Sequence, residues 1–72
     1  MTEEQFLILS FLRSSPESYF GRKEIARRAV RRKVYDENQH WVDAPLALLL
    51  TEGLIEKSDA GLYRLRPENN PQ

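Results

Sequence analysis

Cysteine is absent from a chain of 72 residues, and that pairing removes two of the usual staples of a small fold. A chain this short hides only about 60% of its unfolded surface when it folds, and many small folds recover the shortfall with disulfides or a metal. Without thiols there is no disulfide framework and no thiolate metal site, so the apolar residues must build the core alone. Hydrophobic residues make up 40% of the chain and charged residues 31%, the balance of an ordinary soluble globule. One domain is expected over residues 1–66, followed by a polar, Pro- and Asn-rich tail over 67–72 that has nothing to bury and is expected to stay disordered. The longest N-terminal apolar run, residues 6–12 broken by Ser10, follows Glu3 and Glu4 and is too short to span a bilayer. It reads as neither a signal peptide nor a membrane helix, and the expected location is the cytoplasm.

Local signals then place the elements. Thr2 followed three residues later by Gln5 forms a capping box, with Met1 and Phe6 positioned to staple across it. This predicts a first helix from residue 3, with Phe6, Leu7, Leu9, Phe11 and Leu12 as its apolar stripe and Ser14, Ser15 and Pro16 as its end. Residues 18–20 read as a short extended piece before Gly21, which caps a second helix. That helix is expected to reach about Lys33, turning Ile25, Ala26, Ala29 and Val30 inward and Arg27, Arg28 and Arg31 outward. Pro45 excludes one unbroken helix from Asp36. A turn or short helical piece over 34–41 is expected instead, then a third helix from an Asp43 cap, with Pro45 in its first turn and Leu46, Leu49 and Leu50 inward. Gly53 stops it. Residues 54–57 and 62–66 alternate apolar and polar around Ser58, Asp59, Ala60 and Gly61, the pattern of a β-hairpin. The fold class expected is α+β: three helices, a C-terminal two-stranded hairpin and a short extra strand before the second helix.

Eleven Lys and Arg balance eleven Asp and Glu, but not evenly along the chain. Residues 22–33 hold Arg22, Lys23, Arg27, Arg28, Arg31, Arg32 and Lys33 against Glu24 alone. This segment carries a net charge of plus six and the remainder minus six. On one continuous helix, Arg27 with Arg31 and Arg28 with Arg32 are like-charge pairs at i, i+4, each costing roughly 0.2 to 0.5 kcal/mol. A helix that accepts such repulsion is expected to face an anion.

The run Ala47-Leu48-Leu49-Leu50-Thr51-Glu52-Gly53-Leu54-Ile55-Glu56-Lys57 resembles the leucine-rich helix end, Gly-Leu-Ile corner and charged strand start of small winged helix-turn-helix transcription regulators. Arg22-Lys23-Glu24-Ile25-Ala26-Arg27-Arg28-Ala29 is similar to the first helix of their helix-turn-helix, and the resemblance spans roughly residues 3–66. It implies a winged-helix fold whose partner is double-stranded DNA. On that reading Arg22, Lys23, Arg27, Arg31, Arg32 and Lys33 contact phosphates, while Lys57 and Arg64 contact DNA from the hairpin wing. The outward face of the third helix holds Ala44, Ala47, Leu48 and Thr51, none able to make bidentate base contacts, so base reading falls to Asn38, Gln39 and His40. Asp59 at the wing tip repels phosphate.

Other chemistries find little support in the sequence. His40 lies among Asp36, Glu37 and Asp43 but lacks a second imidazole or a thiolate, so no metal is expected. Ser14 and Ser15 have no nearby base, and neither a Gly-rich phosphate loop nor a buried carboxylate pair is evident. Neither a cofactor nor an enzymatic activity is expected. The competing reading is a protein-interaction or dimerisation module that pairs two copies through the third helix, using Trp41, Ala44, Ala47 and Leu48.

Overall fold

The computed structural model describes residues 1–67. Most of the tail expected to be disordered, residues 68–72, lies outside the described residues. The elements run α1 (Glu3–Arg13), α2 (Arg22–Arg28), α3 (Arg32–Glu37), α4 (Asp43–Thr51), β1 (Ile55–Lys57) and β2 (Tyr63–Leu65). This is an α+β fold of four helices and one antiparallel hairpin, one helix more than the three expected.

The capping box forms at the start of α1: Thr2 Oγ1 accepts from the Gln5 amide at 3.2 Å, and Gln5 Oε1 accepts from the Thr2 amide at 2.8 Å. Gln5, Ile8, Leu9 and Leu12 form the buried stripe of this helix, at the i, i+3, i+4, i+7 spacing of one helical face. The expected stripe is therefore corrected at two places. Ile8 is fully buried at its centre, and Phe6 is exposed. Gln5 is only 2% exposed and donates through Nε2 to Glu52 Oε1 at 3.2 Å, tying the start of α1 to the end of α4.

The long second helix is also corrected. It ends at Arg28, and α3 begins at Arg32 after an extended Arg31. Neither Pro nor Gly lies at this break. The Ala29 amide closes the last turn on the Ile25 carbonyl at 2.9 Å, while the next carbonyl, that of Ala26, accepts the indole Nε1–H of Trp41 at 3.0 Å. In a continuing helix that carbonyl would receive the Val30 amide. Trp41 thus satisfies one of the carbonyls that a helix end leaves free, and the chain can turn there. The like-charge pairs at i, i+4 expected from one continuous helix do not exist. Glu24 pairs with Arg28 at 2.8 Å and Arg32 lies 3.7 Å from Asp36, both opposite-charge i, i+4 pairs within short helices.

Val42, not Asp43, precedes the first helical residue of α4, and the Asp43 carboxylate turns outward to Arg22. The other end of α4 is a Schellman motif. The Gly53 amide donates to Leu50 O and the Leu54 amide to Leu49 O, each at 3.1 Å, and Gly53 takes the left-handed φ of 77° that this geometry needs. The chain then enters β1, whose residues Ile55, Glu56 and Lys57 face Leu65, Arg64 and Tyr63 of β2. Gly61, at φ 83°, closes the connecting turn, with its amide on Ser58 O at 2.9 Å. Phe20 exchanges two 2.8 Å backbone bonds with Tyr63, an isolated one-residue bridge in place of the short extra strand expected before α2.

The core joins Ile8, Leu9 and Leu12 of α1 to Ile25 and Ala26 of α2, Val42, Leu46 and Leu49 around α4, and Ile55 and Tyr63 of the hairpin. Leu50, expected inward, is only partly buried at its edge. Removing apolar surface from water at about 25 cal/mol per Å² is what holds this small fold together. Among the described residues, no helix is long and apolar enough to cross a membrane.

Candidate nucleic-acid interface

The cation-rich segment folds into α2, the bend at Ala29 to Arg31, and α3. Because the helix breaks, its charges are spread over two short helices that meet at an angle-forming bend instead of lining one rod. Arg27 of α2 and Arg32 of α3, with Tyr35 and Asp36, line a shallow cleft of about 460 Å³ between them. Tyr35 is half-buried against the core and anchors α3, which buries no residue completely.

Partners divide the seven cations into two groups. Arg22 is engaged twice: its Nε donates to Asp43 Oδ1 at 2.5 Å and its Nη2 to His40 Nδ1 at 2.7 Å. His40 Nδ1 also lies 3.6 Å from Asp43 Oδ2, so the three side chains form one cluster. The hydrogen bond from Arg22 holds the Asp43 carboxyl below its ordinary value, and the same bond raises the guanidinium further. Arg28 is engaged by Glu24 and by the ring of Phe11, whose centroid lies 5.3 Å from the guanidinium carbon. Arg32 is held loosely, with a side chain 92% exposed despite Asp36. Lys23, Arg27, Arg31 and Lys33 are exposed and have no carboxylate partner among the described residues.

The other expected contact residues lie outside the α2–α3 segment. Asn38, Gln39 and His40 are exposed on the connection from α3 to α4, where Asn38 Oδ1 accepts the His40 amide at 3.1 Å. This connection meets the basic segment at Arg22, so the two expected contact groups adjoin across the Arg22, His40 and Asp43 cluster. Arg64 on β2 donates to Glu56 Oε2 at 2.5 Å and lies 4.9 Å from the Tyr19 ring centroid, and the Glu56 bond raises its pKa. Lys57 lies 5.6 Å from the ring centroid of Tyr63. The outward face of α4 exposes Ala44, Ala47 and Leu48, the last at 47%, while Thr51 donates its hydroxyl back to Ala47 O at 3.0 Å. Trp41 is half-buried, its indole nitrogen directed at α2.

Sequence reasoning missed Tyr35 as part of the cleft and Asp43 as the partner of Arg22. No local pattern reports the first, because the expected second helix stops at about Lys33, before Tyr35. The second joins residues 21 apart, and no local pattern reports it. No group of three or more His, Cys, Asp or Glu placed to hold a metal ion is present among the described residues. Compared with known proteins, the chain matches no family model, no curated relative and no solved structure.

Proposed function

We propose that this chain is a small winged-helix protein that binds double-stranded DNA through the phosphates, as a transcription regulator of compact size would. The element order supports the winged-helix reading: α1, the Phe20 bridge residue, α2, then α4 and the hairpin, with α3 inserted before the helix that would enter the groove. The observation that carries the DNA reading is the set of four exposed, unpartnered cations, Lys23, Arg27, Arg31 and Lys33, on one segment of a chain whose net charge is zero. Unpaired cations at that density raise the local potential and attract a polyanion, and from the start of α2 to the end of α3 seven cations outnumber the three acids Glu24, Asp36 and Glu37.

The mode is backbone contact. Ala44, Ala47 and Leu48 offer no bidentate donor or acceptor to a base edge, and His40 is held by Arg22, which leaves Asn38 and Gln39 as the side chains available for base reading. On the wing, Lys57 reaches DNA more readily than Arg64, which Glu56 already engages. A role of this kind places the chain in the cytoplasm, without enzymatic activity or cofactor. The test is a mobility-shift titration at low salt, with Arg27→Glu and Arg31→Glu introduced together. Binding by the wild type on unrelated duplexes, lost in the double variant, supports the reading, and no shift by the wild type refutes it.

A second reading is favoured by Leu48. An apolar side chain 47% exposed beside Ala44 and Ala47, on the helix that should read bases, suits self-association of two copies across that face. The two readings are compatible, since a two-fold pair would present two basic segments to one duplex.

A further inference from the structure

Outside residues 22–33 the chain holds four cations, Arg13, Lys57, Arg64 and Arg66. Lys57 and Arg64 are engaged by Tyr63, Glu56 and Tyr19. Arg13 and Arg66 are exposed, have no carboxylate partner among the described residues, and come from opposite ends of the sequence to one groove. This groove, of about 570 Å³, lies between the last turn of α1, the corner from α4 to β1 and the end of β2. Leu9, Leu54 and Leu65 supply its apolar walls, and among the described residues no acid lines it. It shares no residue with the cleft between α2 and α3.

Arg66 is placed there by the backbone. Its amide donates to Leu54 O at 3.1 Å, extending the hairpin by one bond past the paired residues. Its Nη1 lies 3.2 Å from where a Cβ on Gly53 would stand, so the glycine that turns α4 into β1 also gives the guanidinium its bed. The result is an open groove with apolar walls and two guanidinium groups that have no carboxylate partner among the described residues. Guanidinium groups recognise carboxylates through paired N–H donors, and leucine walls favour an aliphatic or aromatic body. We propose that this groove binds a small amphipathic carboxylate, its head group on Arg13 and Arg66 and its apolar body against Leu9, Leu54 and Leu65.

The test uses octanoate, with octanamide as its neutral counterpart, titrated into the isotopically labelled protein and followed by amide chemical shifts. Octanoate is expected to perturb residues around Arg13, Gly53, Leu54 and Arg66 with a dissociation constant in the low millimolar range, about what an open site gives a ligand of this size. Octanamide is expected to bind about tenfold more weakly, and Arg13→Gln or Arg66→Gln to weaken octanoate about fivefold each, the scale of an exposed ion pair. Equal binding of octanoate and octanamide by the wild type overturns the proposal, as do perturbations scattered beyond the groove. So does an octanoate affinity unchanged in both arginine variants, whose folding the undisturbed remainder of the spectrum reports. None of these outcomes involves DNA, so the result is independent of the nucleic-acid reading.

Discussion

Trp41→Phe removes a single donor while keeping an aromatic ring in place, and it asks whether the indole is what ends α2. The bond lost is Nε1–H to Ala26 O at 3.0 Å, and Ala26 is fully buried. Leaving a buried carbonyl without a partner costs roughly 1 to 3 kcal/mol, and the lower half of that range applies because the contact is only part-buried. An unfolding entropy of about 2.1 cal/mol/K per residue gives about 150 cal/mol/K for this chain, so a loss of 1 to 2 kcal/mol lowers Tm by about 7 to 13 °C. Thermal melting followed by circular dichroism at 222 nm measures this. The carbonyl carbon shift of Ala26 distinguishes the lost hydrogen bond from a simple packing change. A Tm within about 2 °C of wild type, together with an unmoved Ala26 carbonyl shift, would refute the capping role.

Asp43→Asn tests the bond to Arg22 through pH. The Asp43 carboxyl is held below its unfolded value of about 3.9, so its stabilisation is present above that pH and disappears as pH falls through the folded value. Urea midpoints of wild type and variant should differ at pH 7 and converge in strong acid, and a constant difference contradicts the linkage. Leu48→Glu should leave the fold intact, because the side chain is outside the core, and should abolish any concentration-dependent sedimentation; a wild type that stays monomeric to high micromolar concentration removes the pairing reading. Lys57→Ala with Arg64→Ala should lose less DNA affinity than Arg27→Ala with Arg31→Ala, since Arg64 is held by Glu56 and Asp59 at the wing tip offsets part of the attraction within a Debye length of about 8 Å. The reverse order in an anisotropy titration overturns that ranking.

The elements legible in the sequence are those whose causes lie within a few residues. Thr2 and Gln5 cap α1 across three positions, Gly53 and Gly61 take the positive φ their turns need, and the alternation around 58–61 marks the hairpin. The break in the second helix was not legible, because the donor that takes the Ala26 carbonyl comes from Trp41, 15 residues onward. The burial of Ile8 was obscured by Gln5, a polar residue on the same buried face whose partner, Glu52, lies 47 positions away. For the candidate site, composition located the cations but could not sort them. Arg22, Arg28, Arg32 and Arg64 are paired with acids, and two of those four pairs join residues in different elements. The free set, Lys23, Arg27, Arg31 and Lys33, emerges only once those partners are in place.

Binding through that free set fixes a number. Each neutralised phosphate contributes about 0.9 to the slope of log affinity against log salt, so four contacts give a slope of about −3.6 on duplex DNA. Affinity should fall about 150-fold between 50 and 200 mM salt, and Arg27→Ala with Arg31→Ala should make the slope shallower by about 1.8. Fluorescence anisotropy of a labelled duplex across that salt range measures both quantities. No binding at the lowest salt, or a slope that the double variant leaves unchanged, contradicts a phosphate-contacting role for the α2–α3 segment.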